Sequence, residues 1–237
     1  GGFGIGGGLI LVPSLMFIGL DRHRAHATSL AGIILIAITG ALSYGLSGSI
    51  DPIVGLTIGA GGVIGSSIGA TTMHKMSPRG LTIVFGMVLL LAGIRMIVGG
   101  SPEAGSMDLG PGLEAVIAFS IGLVAGFFAG MAGIGGGVVN VPSMVFLLGL
   151  PQLIAQGTSF IAVMMTASAG SFVNFRNRRM IPQEGLLVGV GGAVGALTSS
   201  QIALGASEET LGTLFGVLVV FVGFRTLYRV IRPRQTA

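Results

Sequence analysis

The sequence predicts an all-α polytopic membrane protein: two inverted-topology repeats of helices, each carrying a Gly-broken helix or re-entrant turn. Three observations predict it. Of the 237 residues 51% are hydrophobic and 8% charged, with 44 glycines besides, too little polar surface to clothe a soluble domain of this size. Apolar stretches near the roughly 20 residues that a bilayer span requires follow one another with only short polar breaks. One glycine-rich motif, with the segments behind it, occurs twice.

Gly4-Ile5-Gly6-Gly7-Gly8, ending in Val12-Pro13-Ser14, returns as Gly133-Ile134-Gly135-Gly136-Gly137, ending in Val141-Pro142-Ser143, at a spacing of 129. After one extra residue near Leu148 the spacing becomes 130 and holds through Thr28/Thr158, Ser29/Ser159, Gly40/Gly170, Pro52/Pro182, Gly61/Gly191, Gly65/Gly195, Gly86/Gly216, Gly93/Gly223 and Arg95/Arg225. Repeat 1 is therefore assigned to residues 1–98, a linker to 99–112 and repeat 2 to 113–237.

In repeat 1 the motif is followed by apolar segments at about 26–47, 52–73 and 81–98; in repeat 2 by segments at about 155–175, 184–204 and 211–229. Repeat 2 also has a leading apolar stretch at 113–131. Repeat 1 has no counterpart to it, and the expectation is that an N-terminal piece with one helix is missing.

Loop charge orients the segments, because basic residues collect on the cytoplasmic side. Arg176-Asn177-Arg178-Arg179 is basic and Ser207-Glu208-Glu209 acidic, whereas the matching loops are acidic at Asp51 and basic at His74-Lys75-Met76-Ser77-Pro78-Arg79. Matched loops thus face opposite sides, as in secondary transporters whose sites lie at mid-membrane between inverted repeats. A duplicated receptor or scaffold is also open to inversion. The net charge of +4 reads as orientation, not as affinity for nucleic acid.

Four glycines in five make a regular helix costly, by about 1 kcal/mol each relative to Ala, and in lipid the freed backbone groups must be satisfied inside the protein. A broken helix belongs here. A helix starting after the third glycine would aim unpaired N–H groups and the positive end of its dipole at the interior, an arrangement suited to an anion. Gly6, Gly7, Gly8, Gly135, Gly136 and Gly137, with Pro13 and Pro142 removing a further helix bond each, are the candidate solute contacts; the competing reading is that the glycines only let helices cross closely.

Thr28-Ser29 and Thr158-Ser159 are candidate hydroxyl donors to the same anion, or else bond to their own helices. His26, matched by Gln156, is a candidate for proton coupling, or an ordinary surface charge beside Arg22, His23 and Arg24. Asn140 and Asn174 are polar residues in apolar stretches, which face the bundle interior as a rule. Arg95 and Arg225 read as snorkelling side chains.

There is no HExxH, no carboxylate pair within a span and no Ser-His-Asp grouping, so no catalytic residue, metal site or cofactor is expected. With no cysteine there is no disulfide or thiolate ligand either. The phosphate-loop reading of the glycine run lacks the strand and soluble sheet that it needs.

The duplicated G-I-G-G-G-x-x-x-V-P-S motif, each copy followed by a Thr-Ser segment, resembles the TauE/SafE family of sulfite exporters, also called the sulfonate uptake permeases. The resemblance covers nearly the whole chain. It implies an inner-membrane permease for sulfite, sulfonates or related oxidised-sulfur anions, with Gly4 to Pro13 and Gly133 to Pro142 as the family motif. The expected partners are the small anion, the lipid bilayer and protons as coupling ion. A non-transporting membrane scaffold or assembly protein and a passive anion channel stand as the alternatives.

Overall fold

The computed structural model describes residues 3–72, 78–98, 110–132, 135–178 and 180–231. Among these, every regular element is a helix: α1 Gly8–Phe17, α2 Arg22–Leu46, α3 Pro52–Thr72, α4 Pro78–Val98, α5 Gly110–Ala132, α6 Gly137–Leu147, α7 Gln152–Arg176, α8 Pro182–Leu204 and α9 Glu208–Ile231. Six helices, all but α1, α4 and α6, contain spans long and apolar enough to cross a bilayer. Phe17, Leu46, Leu91, Leu187, Ile202, Phe221 and Phe224 are all exposed on the outside. Water would penalise such a surface, and lipid does not.

The all-α polytopic expectation holds, and so does the broken helix. α1 and α6 have 10 and 11 residues, which at about 1.5 Å per residue is about half of the 30 Å hydrocarbon layer. Each starts after the third glycine of its motif. The N-caps Gly7 and Gly136 are left-handed, with φ of 76° and 82°, a conformation that a Cβ would oppose.

Helices that gain nothing from expelling water associate through backbone approach at small residues, and this sequence supplies glycines for each major contact. α2 and α7 cross antiparallel at the centre. There a Cβ on Gly40 would lie 2.6 Å from the Phe160 ring, and one on Gly170 3.1 Å from Leu30.

α3 runs parallel to α7, with Gly55 against the Thr158 carbonyl and Ile161, and Gly59 against Met165. α2 runs parallel to α8 in the same way, with Gly185 against the Thr28 carbonyl and Ala31, and Gly189 against Leu35. α4 and α9 are antiparallel, joined at Gly86 with Gly223 and Gly93 with Gly216. α5 lies along α3, where Gly61, Gly65 and Gly69 meet the carbonyls of Phe119, Leu123 and Phe127.

These directions sort charge to the two ends of the bundle. Arg22, Arg24, Arg79, Arg176, Arg178 and Arg229 fall at one, the basic end, with Asp21 and Glu184; Asp51, Glu114, Glu208 and Glu209 fall at the other, with Arg95. The Arg95 guanidinium lies 4.9 Å from the Phe146 ring centroid, a cation–π contact. His74 to Ser77, Arg179, Gly133, Ile134 and the linker up to Leu109 lie outside the described residues.

Candidate functional site

The two glycine turns meet half-way through the bundle. A Cβ on Gly6 would lie 2.8 Å from Val163 Cγ1 and 3.0 Å from Ile33 Cγ2; on Gly135 it would lie 3.4 Å and 3.6 Å from the same two atoms. Ile33 and Val163 stand at the midpoints of α2 and α7. At Gly137 a Cβ would strike the Gly4 carbonyl and come within 2.7 Å of Ile5 Cα, so the turns touch backbone to backbone.

From this point α1 runs to the basic end, where α2 begins, and α6 to the acidic end, where α7 begins. Their N-termini converge, and neither N-cap makes a side-chain hydrogen bond. The uncapped first-turn N–H groups and the positive dipole ends therefore concentrate in one interior region.

The threonines hold the scaffold around this region. Thr158 Oγ1 accepts the Asp51 N–H at 2.9 Å, and Thr28 Oγ1 accepts the Ile181 N–H at 3.2 Å. Asp51 and Ile181 are themselves matched residues, each just before the proline that opens α3 or α8. Each buried threonine thus secures the start of a helix in the opposite repeat. Five residues from the midpoints, the two hydroxyls lie about 7 Å from mid-depth on opposite sides, and they do not converge on one point.

The serines differ between repeats. Ser159 Oγ donates to the Gly4 carbonyl at 2.8 Å, tying α7 to the first turn, whereas Ser29 Oγ donates to the His26 carbonyl of its own helix at 2.9 Å. Gln156 is fully buried beside Gly4. Its Oε1 accepts from the Tyr44 hydroxyl at 3.2 Å, and its Nε2 has no partner. Asn140, buried in the first turn of α6, leaves Oδ1 without one.

Pro13 and Pro142 lie inside α1 and α6, each five residues beyond the first residue of its helix, Gly8 or Gly137. His26 is half-buried near the basic end. Asn174 stands level with it in the antiparallel α2/α7 register, and its amide donates to the Gly170 carbonyl of its own helix at 2.8 Å. The central region therefore gathers Gly6, Gly7, Gly8, Gly135, Gly136, Gly137, Asn140, Gln156 and Ser159, flanked by Thr28, Ser29 and Thr158. His26 and Asn174 flank it on the basic side.

Two polar residues that belong to this picture escaped the sequence reading. Tyr44 carries the Gln156 contact, and its signal was a polar aromatic matched to Asn174. Gln152, fully buried with neither amide atom partnered, opens α7 and had no signal beyond being polar.

Packing closes the turns. An apolar recess of about 10 Å³ against Gly136, walled by Phe85, Phe128, Ala129, Val138, Val139 and Val222, holds one water at most. A groove of about 410 Å³ at the acidic end is formed by Ile38, Leu42, Gly45, Ile50, Pro52, Ile161 and Met164. Neither is lined by both turns.

The family model described as Sulfite exporter TauE/SafE matches residues 1–102 and 118–237. The probable membrane transporter protein YunE of Bacillus subtilis is 25% identical over 95% of this chain and 91% of its own. A probable membrane transporter protein of Xylella fastidiosa is 25% identical over 95% of this chain and 88% of its own. No solved structure matches this chain.

Proposed function

This chain belongs to the TauE/SafE sulfite exporter family, and from that premise we propose that it carries a small anion across the membrane by alternating access. The substrate class is sulfite, an organosulfonate or a related oxidised-sulfur compound. That the chain is a transporter of the inner membrane follows from the family and from the six apolar spans among its described residues; the substrate and the mechanism are our reading.

The observation that carries the reading is the head-to-head meeting of two uncapped helix N-termini at mid-depth. An oxyanion with several acceptor oxygens takes N–H groups from both at once, and both dipoles favour its charge. The polar side chains of the central region are those of Asn140, Gln156 and Ser159, with the threonine hydroxyls about 7 Å from mid-depth on either side. The described acidic residues stand at helix starts, at the ends of the bundle, leaving no carboxylate beside the turns to favour a cation.

The matched contacts, with α2 and α7 antiparallel and α3–α7 repeated as α2–α8, support inverted repeats. Rocking one repeat against the other would open the turns to each side alternately. The basic end faces the cytoplasm on the positive-inside expectation, and in this reading His26, on that side, couples a proton to the cycle.

Flux of sulfite, a taurine-like sulfonate, sulfate and chloride into proteoliposomes, with and without a pH gradient, tests this. Selective movement of an oxidised-sulfur anion is expected. Movement that never exceeds the imposed gradient would make the protein a passive channel, and no movement by folded, inserted protein would favour the scaffold alternative.

A further inference from the structure

A buried amide with nothing to bond to costs stability, and α7 carries such amides on two consecutive turns. Gln152 and Gln156 are both fully buried. Neither amide atom of Gln152 has a hydrogen-bond partner. At Gln156 the Tyr44 hydroxyl holds Oε1 at 3.2 Å, which leaves the Nε2 donors free. Methionine would fill the place of Gln152 without that cost.

Spacing puts the two on one face, because residues three or four apart on a helix are neighbours. Three residues after Gln156 the same face bears Ser159, whose hydroxyl donates to the Gly4 carbonyl at 2.8 Å. The row thus starts at the first residue of α7, at the acidic end, and leads to the first glycine turn, where a Cβ on Gly4 would lie 2.6 Å from the Gln156 carbonyl oxygen. α7 has no side-chain cap of its own, and its first turn already draws acceptor oxygens. The Leu153 N–H donates to both carboxylate oxygens of Glu208 at 3.3 Å, as the positive end of a helix dipole favours.

The other repeat keeps the pattern in its sequence. Gln152 and Gln156 match Arg22 and His26, so α2 and α7, which enter from opposite ends, each have nitrogen-bearing residues at their first and fifth positions. Apolar packing gives no reason for nitrogen donors at both places in both copies.

We propose that Gln152 and Gln156 form the face along which an oxyanion passes between the acidic end and the glycine turns, the N–H groups of the two amides donating to it in turn. Gln152 is then an outer anion subsite, one turn of α7 beyond Gln156. The inference rests on the anion-transport reading above and supplies the residues of one half of the route. A route needs binding weak enough for release, and neutral amides, which hold an ion without a fixed charge, meet that need on the side away from the arginines.

Labelling tests this without any transport. In membrane fragments open to both sides, Gln152→Cys, Gln156→Cys and Ala155→Cys are compared in the full-length protein, otherwise free of cysteine, for reaction with 2-sulfonatoethyl methanethiosulfonate, a water-soluble anion. The two glutamine positions are expected to react about tenfold or more faster than Ala155→Cys, which is equally buried but lies in the apolar core with Val138 and Val141. Equal rates at all three, or no reaction at the glutamine positions, overturn the proposal. Gln152→Met, close in length and volume, keeps it testable if a cysteine variant does not fold. Having lost two unpartnered polar atoms it is expected to melt no lower than the parent in detergent. Its flux of whichever of sulfite, taurine, sulfate and chloride the parent carries is expected to fall about tenfold or more, as losing one hydrogen bond to an ion does. Unchanged flux overturns the proposal, as does a lower melting temperature, which would make Gln152 a packing residue. Reactive cysteines in a protein that moves no anion would uphold the anion-accessible face and sink the transport reading instead.

Discussion

The two halves of the bundle share their framework to the residue and differ in what they place inside it. Thr28 secures Ile181 and Thr158 secures Asp51; Gly185 approaches α2 as Gly55 approaches α7. Within that shared frame, where one half sets Gln156 against Tyr44, the other has His26 level with Asn174. Duplication has kept the backbone contacts, which any change of size would break, and has released the polar positions, which set the chemistry. The backbone frame is thus symmetric and the polar side chains set within it are not.

The sharpest break of this comparison is at the contact of the turns. Gly137→Leu drives a side chain into the Gly4 carbonyl, which cannot move without displacing the first turn, and is expected to destabilise by more than about 4 kcal/mol; loss of folded protein on size exclusion in detergent checks it. A folded, active Gly137→Leu protein would separate the two turns and remove the central site.

Next come the threonines, where the halves should behave alike. Thr28→Val and Thr158→Val each strand a backbone N–H and should cost about 1–3 kcal/mol, adding within about 0.5 kcal/mol in the double variant because the sites are well apart. Thermal unfolding in detergent measures this, and a large inequality would show that the frame is less symmetric than its contacts.

The polar pair should then split the halves. Tyr44→Phe leaves a buried amide oxygen without its donor and is expected to cost about 1–3 kcal/mol. Asn174→Ala loses a bond within its own helix at a half-buried position and should cost about 0.5 kcal/mol or less. Equal effects would mean that both ends of the α2/α7 crossing are latched alike.

The smallest effect on stability is expected from His26→Gln, which gives the basic side the residue found on the acidic side. Unfolding should shift by about 0.5 kcal/mol or less, while any dependence of flux on a pH gradient disappears. Retention of that dependence would take the proton away from His26.

Much of this was legible in the sequence because the fold is written in spacing. The glycine run forced a break, the third glycine became the N-cap in both copies, and the 130-residue register named the pairs that now touch. What spacing did not carry was direction of bonding. Thr28 and Thr158 were readable as solute donors, yet each oxygen accepts from a helix start in the other repeat. Asn174 was readable as an interior contact, yet bonds to its own helix. Tyr44 and Gln156 lie 112 positions apart, and only the antiparallel crossing brings them together.

The half-helices α1 and α6 point in opposite directions from one meeting point, and this bears on energetics across a charged membrane. A transmembrane voltage pulls their two dipoles in opposite senses, so it does little work on the turns themselves. It acts on a bound ion instead, at about 2.3 kcal/mol per elementary charge per 100 mV. With the basic end inside a cell whose interior is negative, a monovalent anion held between the turns at mid-depth has about half of that field to cross on its way out, an outward bias of roughly sevenfold per 100 mV.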